Sequence, residues 1–166
     1  MVLDYLHTLI SKVCPIEGLA FLENGSFRLD FAAQATEEQK NQALSVLEQW
    51  PLLQAKEEKL LNIAAEWGLQ LKQGWDSGQG RLGLTAEDVA LLSGAFTLAK
   101  EAAALGLPLP KLITLDDTTI PFATIQEMTT LLLRYGAARA ELSETFAARR
   151  KAVESATTLE ELNALP

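Results

Sequence analysis

The sequence predicts an α+β protein, mostly α: an N-terminal helix–β-hairpin–helix module, then a helical bundle with one short β-hairpin. Three observations lead there. Apolar residues recur at three- and four-residue spacing through most of the chain, the mark of helices with one buried face. Asn24-Gly25, a pair suited to a tight hairpin turn, lies between two runs, "GLAFLE" and "SFRLDF", that place apolar or small residues on one shared face. Near residue 115, two very short apolar runs flank the acidic turn "DDTT".

Taken in order, Val2, Leu3, Leu6, Leu9, Ile10 and Val13 form one face of a short helix that Cys14-Pro15 ends, because proline disfavours helical backbone in the residue before it. Asn24-Gly25 suits a two-residue turn, which would pair Leu22 with Phe27, Ala20 with Leu29 and Gly18 with Phe31. That register places these six on one face. It leaves Leu19 and Phe21 on the other, with Glu23, Ser26, Arg28 and Asp30. Thr36 and Gln39 make a capping box for a helix whose buried stripe is Ala43, Val46, Leu47 and Trp50. Pro51 marks a break and a module boundary, giving modules 1–51 and 52–166.

Leu60, Ala64, Trp67 and Leu71 carry a further helix over about 53–72. "KQGWDSGQGRLGL" reads as a glycine-rich loop, and Thr85 with Asp88 as the capped start of a helix bearing Val89, Leu92, Phe96, Ala99 and Ala103. Leu105-Gly106-Leu107-Pro108 stops it. The small hairpin falls near 112–122. Thr124, with Glu127, caps the longest helix, to about Glu154. Met128, Leu132, Tyr135, Leu142, Phe146 and Val153 run along it near a seven-residue rhythm that Arg139 and Arg149 interrupt, so no long coiled coil is demanded. "TTLEELNAL" closes the chain as a short amphipathic segment.

The length, 166 residues, suits one ordinary domain or two small modules. Hydrophobic residues make up 48% of it, enough for a real core. A formal net charge of −8 repels a phosphate backbone, and the one dense basic run, Arg149-Arg150-Lys151, is too short to offset it; no nucleic-acid partner is expected. The single cysteine, Cys14, excludes an intrachain disulfide and a cysteine-based zinc site. No apolar run approaches the roughly 20 residues of a membrane span. Asp4 stands where a signal peptide would carry basic residues, so a soluble protein made in a cytoplasm is expected.

Each candidate for chemistry has a structural rival. Asp116-Asp117 could be an acid/base pair, but neighbouring side chains of an extended segment project to opposite sides, and "TLDDTT" has turn composition throughout. "GQGRLG", Gly78–Gly83, matches the dinucleotide pattern G-x-G-x-x-G, yet a helix precedes it and the pattern ends before the Thr85 cap. His7, the only histidine, lies off the apolar stripe of its helix, and Cys14 reads as a small buried residue. Trp50 and Trp67 sit on helical stripes. Trp75 sits in the glycine loop, where it either contacts a partner or folds back over the core.

"QGWDSGQGRLGLTAEDVALLSGAFTLA", "ITLDDTTIPFATIQEMTTLLLRYG" and "RRKAVESATTLEELNAL" resemble, in order, a domain of unknown function carried by phage tail-fibre-region proteins, over about residues 73–165. The segment "VCPIEGLAFLENGSFRLDFAAQATEEQKNQALSVLEQW" is similar to the openings of small phage structural proteins. The resemblance implies a non-enzymatic tail protein, an accessory or adaptor of the fibre or baseplate or an assembly chaperone, found in the virion tail or in the host cytoplasm during assembly. Its partners would be other tail proteins, with self-association as a second option, and no membrane. No catalytic residue, cofactor or metal is implied. The residues expected to meet partners are Trp75, Leu19, Phe21, Tyr135 and Phe146. The alternative is a small-molecule (nucleotide) binding protein or enzyme using the Gly78–Gly83 loop.

Overall fold

Leu6 and Ile10 lie one turn apart on the first helix, α1 (Val2–Ser11), and both are fully buried. Around them the computed structural model, which describes residues 2–23 and 26–166, assembles the rest of a first core. Cys14, Ala43 and Trp50 complete its buried centre. The strands β1 (Ile16–Phe21) and β2 (Phe27–Phe31) pair antiparallel beside it. The protein is mostly α, with five helices and three two-stranded antiparallel hairpins among the described residues.

The hairpin register differs from the expected one by a residue. Phe21 pairs with Phe27, Leu19 with Leu29 and Gly18 with Asp30. The Leu22 amide donates to the Ser26 carbonyl at 2.8 Å, which leaves three residues between them rather than two; Asn24 and Gly25, the expected turn, lie outside the described residues. A shift of one residue turns every side chain of a strand over. Leu19 therefore faces the core with Phe27 and Leu29, and an irregularity between Ile16 and Gly18 brings Ile16 onto the same face, opposite Phe31. The physical gain is plain. The observed register buries Ile16 and Leu19 where the expected one would have buried Gly18 and Ala20, and stabilisation scales with apolar area removed from water.

The helix α2 (Glu37–Gln73) runs without a break through Pro51. The helix break expected there is thus absent. A proline inside a helix removes one bond to the carbonyl four residues back, but Trp50 beside it is buried and Leu47 and Leu53 pack against the first core, so packing holds the helix across the gap. The capping box at its start is present: the Gln39 amide donates to Thr36 Oγ1 at 3.2 Å, and the Thr36 amide donates to Gln39 Oε1 at 2.9 Å.

The compact units divide at Lys59/Leu60. The first holds residues up to Lys59 together with Ser155–Pro166, and the second is Leu60–Glu154. The closing helix α5 (Leu159–Ala164) belongs to the first: Lys59 Nζ donates to the carbonyls of Leu162 and Leu165, placing a cation at the C-terminal end of α5 where the helix dipole favours it.

In the second unit, α3 (Ala86–Ala104) and α4 (Ile125–Ser155) supply most of the core. Leu92 and Ala99 of α3 and Met128, Leu131 and Tyr135 of α4 share one buried cluster with Leu82, Leu84, Leu112 and Ile120. The last four come from two hairpins of two-residue strands, β3 (Trp75–Asp76) with β4 (Arg81–Leu82), and β5 (Leu112–Ile113) with β6 (Thr119–Ile120). The glycine-rich segment is thus a hairpin, one more than the sequence predicts for this region. Val153 is buried and Leu142 packs against the second core, as the seven-residue rhythm anticipates.

Candidate functional site

The acidic turn and the glycine-rich segment meet, although 35 residues separate their contacting groups. The Leu115 amide donates to the Arg81 carbonyl at 2.7 Å, and the Arg81 amide donates to Asp116 Oδ2 at 3.1 Å. Asp117 takes the left-handed conformation (φ 56°) that closes the β5–β6 turn. Thr114, buried beneath it, bonds Thr118 four ways: its amide and its hydroxyl reach the Thr118 carbonyl at 2.9 and 3.2 Å, the two hydroxyls meet at 2.7 Å, and the Thr118 amide donates to its Oγ1 at 3.1 Å. Across the join, a Cβ on Gly80 would lie 2.6 Å from Thr114 Cγ2, so a larger residue there would push the two hairpins apart. Both carboxylates are exposed, and Asp116 is occupied in joining the hairpins.

The Gly78–Gly83 segment is not arranged as a pyrophosphate cradle. In such a site, backbone amides at a helix N-terminus point at the ligand and carry positive partial charge. Here the start of α3 is closed by its own side chains. The Thr85 amide donates to Asp88 Oδ2 at 2.9 Å, and the Asp88 amide donates to Thr85 Oγ1 at 3.2 Å. The Asp88 carboxylate lies against Gly83, leaving no room there even for a Cβ, and sets a negative charge where a phosphate would need a positive field.

Four of the five residues expected to meet partners point inward. Leu19 packs on the first core through the register described above. Trp75 folds back: its ring meets Tyr135 edge-on at 6.3 Å, and the Arg134 guanidinium lies 5.5 Å over it. Tyr135 is buried, its hydroxyl donating to the Gly83 carbonyl at 2.8 Å; burial first, and then the nearby Asp88 carboxylate, raises its pKa above the usual phenol value. Phe146 is buried against Trp67, 5.1 Å away, under the Arg149 guanidinium. In each case an inward aromatic ring removes more apolar surface from water than an outward one. Only Phe21, 57% exposed and with its ring tilted against that of Phe27 at 5.1 Å, stands at the surface.

The arginines that interrupt the seam of α4 have structural partners. Arg139 Nε donates to the Leu84 carbonyl at 3.1 Å. Arg149 pairs with Glu66 at 2.8 Å, and that hydrogen bond holds the Glu66 carboxyl below its ordinary value of 4.5. His7 is exposed, its Nδ1 3.4 Å from the Ser11 hydroxyl, and Cys14 is buried. Among the described residues, no group of three or more metal-ligating side chains converges. No helix of the described residues is long and apolar enough to cross a membrane.

Uncovered apolar surface in the second unit lies elsewhere. Leu91, Leu98 and Leu105 are 68%, 65% and 72% exposed; the seven-residue interval sets the first two on one stripe of α3 about 10.5 Å apart, with Leu105 at the C-cap just beyond it. A separate open groove of about 570 Å³ lies between α3 and α4, floored by Phe96 and Leu132 and edged by Leu133; Ser93 and Gly136 keep it wide because they project little or nothing into it. The signal is in the sequence, as Leu91, Leu98 and Leu105 recur every seven residues. The periodicity reading missed it because α3 has a stronger inward stripe beside it.

No family model matches the chain, no curated protein is similar to it, and no solved structure matches it.

Proposed function

We propose that this chain is a non-enzymatic binding protein of a phage tail, an adaptor or assembly chaperone of the fibre or baseplate that acts by contact with other tail proteins. The observation that carries the contact reading is the pairing of the α3 leucine stripe with the open α3–α4 groove: two apolar surfaces on the same pair of helices, without a covering element among the described residues. Supporting it, polar side chains of the second unit have structural duties, among them Asp116, one of the two carboxylates weighed for chemistry. Asp116 joins two hairpins, Asp88 caps a helix, and Tyr135 holds the Gly83 carbonyl. The phage setting rests on the sequence resemblance over residues 73–165 alone.

The test is co-purification of the full chain with the fibre and baseplate proteins of the phage that encodes it, beside a variant carrying Leu91→Ser, Leu98→Ser and Leu105→Ser. Because these leucines are exposed, the variant keeps its fold, and binding should fall at least about tenfold, the scale of one well-packed contact residue. Unchanged binding by the variant excludes the stripe, and no binding by the parent chain excludes the adaptor reading. Peptides of this chain in purified particles favour an adaptor; their absence together with loss of fibres on deletion favours a chaperone.

A further inference from the structure

A second depression in the Leu60–Glu154 unit differs in chemistry from the apolar groove. It is a shallow cup of about 310 Å³ between the β3–β4 turn and the first two turns of α4. Its floor is apolar, with Phe122 and Leu131, and its rim carries Gln79, Gln126, Glu127 and Arg134. The rim groups are largely uncommitted. Among the described residues neither carboxamide has a hydrogen-bond partner, and Arg134 makes no hydrogen bond, only its stacking over Trp75. Glu127 accepts from the Ala123 amide through Oε2, which leaves Oε1 open.

We infer that this cup is a binding subsite for a neutral sugar ring. The rim offers two carboxamides, a carboxylate and a guanidinium, all planar groups, and between them they both donate and accept. A pyranose presents this need in reverse: adjacent hydroxyls that each donate and accept, around a ring whose C–H face is apolar. That face would rest on Phe122 and Leu131 while vicinal hydroxyls meet the rim. The volume is at the small end of ligand sites and suits one ring rather than an extended cofactor. An anion fits poorly, because Glu127 stands on the rim and the chain carries a net charge of −8.

The experiment is a two-dimensional amide NMR titration of the full chain with methyl α-glucoside, methyl β-galactoside and N-acetylglucosamine, each up to about 50 mM, since a single ring with few contacts binds in the millimolar range. At least one glycoside should shift the side-chain NH2 signals of Gln79 and Gln126 and the backbone amides around Leu131, with saturation. The Gln79→Ala, Gln126→Ala double variant, altered only at exposed positions, should lose about tenfold in affinity with the rest of its spectrum unchanged. Three results would each overturn the assignment: no shift of those signals by any of the three sugars, saturable sugar binding that survives in the double variant, or shifts produced by glycine or glutamate and not by sugars.

Discussion

The β1–β2 hairpin pairs five positions along its backbone, and its core face carries Ile16, Leu19, Phe27, Leu29 and Phe31. Each small hairpin of the second unit pairs only two positions. In the long hairpin the polar side chains face away from the core: Arg28 and Asp30 bridge each other at 3.1 Å, both well exposed. In the short ones polar side chains carry the construction. Ser77 Oγ donates to the Gly80 carbonyl at 2.6 Å, Thr114 binds Thr118, and Asp116 binds Arg81. The difference teaches that a strand too short to build a ladder is held by hydroxyls and carboxylates, so acidic and hydroxyl residues crowded at a turn can be structural material.

Substitutions can break this contrast, and the largest effect is expected at Gly74. Its φ is +72°, and a Cβ there would overlap the Leu82 carbonyl, a backbone atom of the paired strand. Gly74→Ala should cost about 3–5 kcal/mol, strain plus a clash that the backbone cannot relieve. Gly78, φ +82° with open space around it, is the control; Gly78→Ala should cost only the left-handed strain, about 1–2 kcal/mol. Urea unfolding of both variants measures the gap, and equal losses would mean that Gly74 does not lie against the Leu82 backbone.

Next is Thr114→Val, which keeps the shape and removes the hydroxyl. The part-buried bonds to Thr118 would be lost, and unfolding should be easier by about 0.5–1.5 kcal/mol. The contrast sharpens with Asp116→Ala against Arg28→Ala. Loss of the bond to the Arg81 amide should cost about 0.5–1.5 kcal/mol, whereas the exposed Arg28–Asp30 pair should be worth under about 0.5 kcal/mol. If Arg28→Ala proved the more damaging, polar groups would matter equally in both kinds of hairpin.

The smallest effect is in acid. The Arg149 hydrogen bond lowers the Glu66 carboxyl, and the Thr157 amide and hydroxyl lower that of Glu161, both from an ordinary 4.5. A carboxyl whose folded value lies below its unfolded one contributes stability that is present above the unfolded value and lost as pH falls through the folded one. The Tm should therefore drop as pH falls below the ordinary 4.5, and a Glu66→Gln, Glu161→Gln variant should show a shallower drop there.

Much of the local structure was legible because its determinants are close in the chain. The Thr36–Gln39 and Thr85–Asp88 boxes span three residues each and formed as read. At α4 the pattern held with one change: the Glu127 amide donates to Thr124 Oγ1, but its carboxylate reaches the Ala123 amide rather than that of Thr124. The candidate site was less legible. Trp75, Tyr135 and Phe146 carry no mark in the sequence that tells an inward ring from an outward one, since both lie on the same stripe or loop. The α3 leucines were visible as a seven-residue repeat and were overshadowed by the inward stripe.

By itself the sequence determined the capped starts of α2, α3 and α4, that "DDTT" is a turn, and that the chain is mostly α with hairpins, because capping, turn composition and apolar period act over a few residues. Only the tertiary structure decided the β1–β2 register, the passage of α2 through Pro51, the bond between Arg81 and Asp116, and the attachment of α5 to Lys59. Those outcomes depend on how much apolar surface and how many backbone groups each packing satisfies at once, a sum over residues far apart in the chain that no short window contains.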